Sequence, residues 1–214
     1  GTGVVAVNTT TNSIEASIIG SDVDAVGNVA VEARDESVIR AELLAASIAA
    51  GGAGAVSVNV AVSATVAVNN IGGSLLATID DSKVKSTSGA VIVESYANNS
   101  IAAFGLAVGV AAGGAGGVSI NVSLTAVVAS NITSNTVEAS IKNDSDVDAT
   151  NNVTVNARDL SDIFAVLASA SVSAGGAGAV SVNVSVAATS ASNTIGGSLL
   201  ATIAASDVDT GGAI

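Results

Sequence analysis

Paired carboxylates have the clearest potential for chemistry in this chain. Asp22-Val23-Asp24 recurs as Asp146-Val147-Asp148 and as Asp207-Val208-Asp209. Two carboxylates at positions i and i+2 of a strand lie on one face, where they could bind Ca²⁺. The equivalent place in the second copy reads Lys83-Val84-Lys85, and two ammonium groups do not suit a calcium repeat. The pattern therefore favours opposite charges that relieve repulsion between stacked copies, and no metal site is predicted.

A Gly-rich signature returns at a spacing of 62 residues. Its copies begin Gly51-Gly52-Ala53-Gly54, Gly113-Gly114-Ala115-Gly116 and Gly175-Gly176-Ala177-Gly178. These segments superficially resemble phosphate-binding loops, but no Lys-Ser or Lys-Thr follows and no helix is expected to begin there. No Asp follows them either, so the Gly-Gly-x-Gly-x-Asp calcium repeat is missing. The glycines are therefore predicted to form sharp, repeated structural turns.

Asparagines also fall at equivalent positions of successive copies. One set is Asn59, Asn121 and Asn183, and a second set is Asn69, Asn131 and Asn193. Stacked Asn side chains can hydrogen-bond along a parallel sheet, which predicts two Asn ladders. The alternative is glycosylation, because Asn121 and Asn183 each begin an Asn-Val-Ser acceptor pattern. A chain rich in Asn and Ser produces such matches by chance, so the ladders are favoured.

Composition excludes several classes of protein. The chain has neither His nor Cys, which removes the common zinc ligands, thiol nucleophiles and the commonest general base. The net charge is −12 and there is no basic patch, so nucleic acid is not expected as a partner. A solenoid enzyme of the pectate-lyase type would need a cleft of clustered Asp, Arg or Lys, and the repeat scatters the carboxylates. We predict no catalytic residues, no cofactor and no enzymatic activity.

The repeats indicate one continuous module over residues 1–214. Full copies span about residues 8–68, 69–130 and 131–192, with a partial copy at 193–214 and the tail of a preceding copy at 1–7. The segment from Ile71 to Ile79 reappears 124 residues later, from Ile195 to Ile203, so the higher-order unit is a pair of copies. A fixed period of this kind is typical of one supersecondary unit that stacks on itself. We expect either that the chain is part of a longer array or that neighbours cover its ends.

Alternation with a period of two predicts strands after each Gly-rich turn. The apolar members are expected to face inward and the polar members outward. In the first two copies, the predicted inward set is Val56, Val58, Val60, Val62, Ala64, Val66, Val118, Ile120, Val122 and Leu124, and the predicted outward set is Ser57, Asn59, Ala61, Ser63, Thr65, Ser119, Asn121, Ser123 and Thr125.

The segment before each Gly-rich turn could be a helix or a strand. Residues 37–46 would pass for a helix, but the equivalent residues 105–110 contain internal Gly and residues 168–173 alternate strictly. One position in the fold must suit all copies, so a strand is predicted. The run from Ile101 to Val118 has no polar side chain and imitates a membrane span. Its first-copy equivalent carries Arg40 and Glu42, so no membrane insertion is predicted.

Repeated strands without helical crossovers or hairpin dipeptides predict an all-β fold, namely a parallel β-solenoid built from 62-residue repeats. Two coils per repeat are preferred, which would give a rise of ~34 Å over seven coils. One large coil or three small coils per repeat remain alternatives.

The motif Gly-Gly-Ala-Gly-Ala-Val-Ser-Val-Asn-Val, followed further on by Ala-Ser-Ile or Ala-Thr-Ile, resembles the repeat regions of large secreted bacterial β-helix proteins. These include fusobacterial leukotoxin-like proteins and filamentous-haemagglutinin-like or autotransporter adhesins. The resemblance implies export, an extracellular or cell-surface location, and a structural or adhesive shaft. It implies no catalytic residues. Self-association end to end or flanking repeats of the same chain are the expected partners, together with a host or neighbouring-cell surface. A self-assembling filament and the scaffold of a secreted toxin are the alternatives.

Overall fold

The structure, a computed structural model, describes all residues from Gly1 to Ile214 and contains strands but no helix. No element is therefore a helix able to cross a membrane. The strands are β1 Thr2–Ile19, β2 Asp22–Ala25, β3 Val29–Asp35, β4 Val38–Ala53, β5 Val56–Asp80, β6 Lys83–Ser86, β7 Val91–Ala97, β8 Ser100–Ala115, β9 Val118–Lys142, β10 Asp146–Ala149, β11 Val153–Asp159, β12 Asp162–Ala177, β13 Val180–Ala204 and β14 Asp207–Thr210. The segment before each Gly-rich turn is thus a strand, as predicted.

Four parallel sheets run along the stack of repeats. Their orders are β1-β5-β9-β13, β2-β6-β10-β14, β3-β7-β11 and β4-β8-β12, and every pairing is parallel. Each strand pairs with the strand one repeat away, as Val56 does with Val118. The chain is therefore a parallel β-solenoid, which confirms the predicted fold class. Its layers are β1–β4, β5–β8, β9–β12 and β13–β14.

Each repeat forms one large coil, so the preference for two coils per repeat was wrong. The strands β5, β9 and β13 each have 25 residues, which at about 3.3 Å per residue makes a layer roughly 80 Å wide. Four layers at a spacing of about 4.8 Å separate the first from the last by only ~14 Å. The molecule is therefore a broad plate, because each repeat is used to widen the coil and adds a single layer of height.

The aliphatic core lies at one end of this plate, where three sheets surround it. The carboxyl-terminal halves of β5 and β9 supply Leu75, Ile79, Val137 and Ile141, all almost completely buried. The short strands and β7 complete the same cluster through Val84, Val147, Val91 and Val93. Ala, Val, Leu and Ile suffice here because parallel layers repeat one cross-section and leave no irregular space for aromatic rings. We call this half of the plate the core end.

The other half of the plate has its polarity reversed, and the inward and outward sets predicted after the Gly-rich turns were wrong. Ser57, Asn59 and Ser63 point into the molecule, whereas Val58 and Val60 are at least half exposed. Equivalent residues of β9 behave in the same way, with Ser119, Asn121, Ser123 and Thr125 buried. Two sheets alone face each other here, and small side chains separate them. A Cβ atom on Gly109 would lie 2.6 Å from Ser123 Oγ, so the gap is too narrow for larger groups.

One column in which Asn and Gly residues alternate marks a pair of layers as the repeat unit. Asn12 pairs in register with Gly73, and Asn135 with Gly197. A Cβ atom on Gly73 would overlap the Asn12 carbonyl oxygen, and one on Gly197 would overlap the Asn135 carbonyl oxygen. No side chain therefore fits at Gly73 or Gly197, and Asn and Gly layers alternate at this position.

The corner after each long strand needs a left-handed residue, and this position carries a stability prediction. Gly20, Asp81, Asn143 and Ala205 occupy it with φ between 45° and 57°. Of these four residues, alanine is the least suited to this conformation, because Gly has no Cβ atom and Asn and Asp tolerate the left-handed region. We expect Ala205→Asn and Ala205→Gly each to raise the free energy of unfolding by about 0.5–1 kcal/mol, measured by chemical denaturation. Ala204→Gly, one residue earlier in the strand, should lower it instead; stabilisation there would contradict the explanation.

Candidate functional site

The Gly-rich turn and the strand that follows it form one hydrogen-bonded unit. Ser119 Oγ donates to the Gly113 carbonyl oxygen at 3.2 Å, and Asn121 Nδ2 donates to Ser119 Oγ at 3.1 Å. The same pattern joins Ser57 to Gly51 and Ser181 to Gly175. The spacing of Gly, Ser and Asn in the signature therefore lets these residues form hydrogen bonds across the turn. We call this set of hydrogen bonds the latch.

Six of the nine glycines predicted as turn residues lie at the ends of β4, β8 and β12, and only Gly54, Gly116 and Gly178 lie in the turn itself. Close approach between layers is the reason for glycine at most of these positions. None of the nine glycines has a positive φ, so the prediction that they serve a sharp corner gave the wrong physical cause. A Cβ atom on Gly113 would overlap Asn59 Nδ2 and the Gly51 carbonyl oxygen. One on Gly116 or Gly178 would overlap the carbonyl oxygen of the equivalent Gly in the layer below. The second glycine of each turn has more room, since Gly176 has nothing within 4 Å of that position.

Two columns of asparagine run through the stack inside the molecule. Asn59 Nδ2 donates to Asn121 Oδ1 at 2.9 Å, and Asn121 Nδ2 donates to Asn183 Oδ1 at 2.9 Å. In the second column Asn8, Asn69, Asn131 and Asn193 are joined by three such bonds of 2.8 Å. Asn121, Asn69 and Asn131 have no exposed surface, so the columns are internal supports. All the amides point the same way along the stack.

A third polar network, at the corner before β4 and β12, was missed by the sequence analysis. Asp35 Oδ1 accepts hydrogen bonds from Ser37 Oγ at 2.7 Å and from Asn12 Nδ2 at 3.0 Å. Asn99 Oδ1, one layer on, accepts from the Ser37 amide at 2.8 Å. Two copies of Asp-x-Ser, at residues 35–37 and 159–161, were the available signal. The motif alone does not predict the network, because the Asn partners, Asn12 and Asn135, are 23 and 24 residues away in sequence from Asp35 and Asp159.

Charged residues form columns on the outside of the core end. One column consists of Asp22, Lys83, Asp146 and Asp207, which are in register. The neighbouring column contains an ion pair, in which Lys85 Nζ lies 3.8 Å from Asp148 Oδ2. Both side chains of that pair are about half exposed, so it contributes about 0–1 kcal/mol.

Other charged groups form a small outward patch. Arg34 contacts Glu94 at 3.2 Å and lies 5.9 Å from the centre of the Tyr96 ring. No three His, Cys, Asp or Glu residues are arranged to hold a metal ion.

The two sheets that flank the Gly-rich turns make a second distinctive feature, which we call the blade. It consists of residues 43–67, 105–129 and 167–191, together with the start of β1. None of these residues is charged, so all 18 acidic and 6 basic side chains of the chain lie elsewhere. Its outer faces are apolar. On the face formed by the long strands, the exposed side chains include Val5, Val56, Val58, Val60, Val62, Leu124, Val128, Val180, Val182, Val184 and Val186.

Backbone hydrogen bonds continue from layer to layer through the tip of the blade. The Gly116 amide donates to the Ala53 carbonyl oxygen at 3.3 Å, and the Val118 amide donates to the Ala55 carbonyl oxygen at 2.9 Å. The Gly178 amide repeats the first of these bonds with Ala115 at 3.2 Å. The turn is therefore part of the regular stack and not a loose loop.

These features define a class: a parallel β-solenoid with one coil per repeat, an aliphatic core end and an inside-out blade. Compared with protein-family models, curated proteins and solved structures, the chain matched none of them.

Proposed function

We propose that this chain is a non-enzymatic structural or adhesive shaft, a segment of a larger bacterial surface or secreted fibre protein. The observation that carries the proposal is the unbroken in-register pairing of layers. Val56, Val118 and Val180 stack directly, and so do the residues of every sheet. A stack of this kind can gain layers without a change of cross-section. Its repeated ladders and latches support rigidity and resistance to proteolysis.

The extracellular and bacterial part of the proposal is supported by the resemblance of the Gly-Gly-Ala-Gly-Ala-Val-Ser-Val-Asn-Val signature to secreted bacterial β-helix repeats. Partners along the shaft are flanking repeats, or other copies joined end to end. The outermost strands β1 and β13 each pair on one side. A strand edge of this kind presents unpaired N–H and C=O groups that another layer can bind.

Insertion of a second copy of residues 69–192 after Ser192 tests the proposed shaft. This pair of layers keeps the alternation of Asn and Gly, so we expect a plate of unchanged width, roughly 80 Å, that is thicker by ~10 Å. Small-angle scattering and negative-stain images measure both dimensions, and limited proteolysis measures resistance. Growth in every dimension, or rapid digestion throughout the chain, would contradict the shaft. A matched insertion of residues 69–130 alone breaks the alternation and should be less stable.

The adhesive and extracellular parts need separate measurements. Protease treatment of intact producing cells should remove the protein if it is displayed outside the membrane. Purified protein should bind cell surfaces in a saturable manner if it is adhesive, and turnover of polysaccharide substrates should be absent. Protection of the chain in intact cells would refute surface display, and saturable binding with turnover would indicate an enzyme.

A further inference from the structure

The outer face of the blade formed by β5, β9 and β13 is larger and more apolar than an ordinary protein surface. From Val56 to Val68 it is roughly 40 Å long, and the layers that cover it give it an area of roughly 700 Å². The largest apolar patch on a typical monomer covers about 300–600 Å². A stable protein–protein interface takes about 600–1,000 Å² from each partner. The face is therefore of the size that a stable dimer needs, and every further layer adds to it.

Charge decides which partner fits this face. The chain carries a net charge of −12, which opposes self-association wherever the core ends approach each other. On the blade face the nearest charged side chains, Glu15 and Glu138, lie at the register of Leu76, roughly 26 Å beyond Val68. The opposite face is less suitable because Arg40 and Glu42 border it directly. Contact through this face, which has no charged side chain, keeps the charged side chains of the two core ends further apart than a Debye length of about 8 Å.

Layer spacing points to the same partner. The outward side chains repeat in columns such as Val60-Val122-Val184 and Val62-Leu124-Val186, one residue for each layer. A second solenoid with the same spacing of about 4.8 Å can match every row of this surface, whereas an unrelated protein matches it at isolated points. Another copy of this chain has the same spacing because it contains the same stack of layers.

We propose that two copies of this chain pack their blades face to face and antiparallel, with their core ends pointing in opposite directions. The two-fold axis is parallel to the stacking direction, so the layers of both copies run the same way. Val62 lies at the centre of the apolar stretch and faces Val62 of the second copy. Val56 faces Val68 of the second copy, and the two Val56 residues are roughly 40 Å apart. This lateral contact is independent of end-to-end growth and would join neighbouring shafts.

Cysteine cross-linking tests the orientation directly because the chain has no native Cys. We expect a short bis-maleimide to cross-link Val62→Cys into a dimer readily, because facing sheets pack about 10 Å apart, and to cross-link Val56→Cys at least about 10-fold less, because the two copies of that residue lie roughly 40 Å apart. Ile92→Cys, in the same layer on the outside of β7, is the control and should stay monomeric. Equal cross-linking of Val56→Cys and Val62→Cys would overturn the antiparallel arrangement, as would absence of the Val62→Cys dimer.

Association strength supplies a second, independent measurement. Substituting Lys for Val60, Val122 and Val184 together should weaken dimerisation about 1000-fold in sedimentation experiments, since each buried valine contributes about a factor of ten. The matched control replaces Ala30, Ile92 and Thr154, one outward column of the core end, by Lys and should dimerise normally. Circular dichroism establishes that both variants remain folded.

Each remaining outcome separates this proposal from the others. Unchanged dimerisation of the blade variant would refute the lateral contact and leave end-to-end association as the cause. Monomeric wild-type protein that floats with phospholipid vesicles would also refute it and identify lipid as the occupant of the blade. Lateral dimers without growth by added layers would support this inference while refuting the shaft.

Discussion

Gly175→Ala is expected to lower the free energy of unfolding by about 3 kcal/mol, although it adds a single methyl group. That methyl group would overlap Asn121 Nδ2 and the Gly113 carbonyl oxygen of the layer below. Neither atom can move freely, because Asn121 is held by Ser119 and Asn183 and the carbonyl belongs to the neighbouring turn. Relief of the overlap therefore requires the layers to separate at the tip of the blade.

Gly176→Ala is the matched control for this prediction, one residue further along the same turn. Nothing lies within 4 Å of its Cβ position, so we expect a change within about 0.5 kcal/mol. Denaturation in guanidinium chloride, followed by circular dichroism, measures both variants. Equal losses for Gly175→Ala and Gly176→Ala would indicate that the turn needs glycine for backbone freedom, and would refute the explanation by close approach.

Asn121→Ala is expected to cost about 2 kcal/mol because it removes the middle of a buried column. The substitution takes away the acceptor of one Asn59 N–H and the donor to Asn183 Oδ1. A buried donor left without a partner costs more than the same hydrogen bond contributes when it is formed. Asn98→Ala is the control, since Asn98 is exposed and its side chain makes no hydrogen bond, and should change stability by less than about 0.5 kcal/mol.

Replacing the whole column distinguishes loss of a partner from loss of packing. If the orphaned amides cause the destabilisation, the triple variant Asn59→Ala, Asn121→Ala and Asn183→Ala should cost clearly less than the sum of the three single variants. If packing dominates, the costs should add. An additive result in denaturation measurements would show that the column fills space and has no special role as a hydrogen-bond ladder.

The repeat made the fold class predictable from sequence. Residues 37–46 alone suit a helix, but their equivalents around Gly105 and Gly109 exclude one, because a single fold position must accommodate every copy. Register between neighbouring layers follows from the period, so the stacking of Asn59 on Asn121 could be anticipated without coordinates.

The direction of the side chains could not be predicted by the usual rule that apolar residues face inward. Val58 and Ser57 alternate perfectly, and alternation alone does not say which set is buried. The thickness of the interior decides, and that depends on which strands face each other across it. Beside the Gly-rich turn β8 lies so close to β9 that Ser, Asn, Gly and Ala fit between them, which sends the valines outside.

The sequence by itself determined the period, the strands and the parallel stacking, because these depend on local alternation and on residues that recur at a fixed distance. Tertiary structure alone decided that each repeat makes one broad coil, that the polar set lies inside the blade, and that Asn12 meets Asp35. These outcomes depend on the distance between sheets far apart in sequence, and pairwise spacing along the chain does not encode that distance.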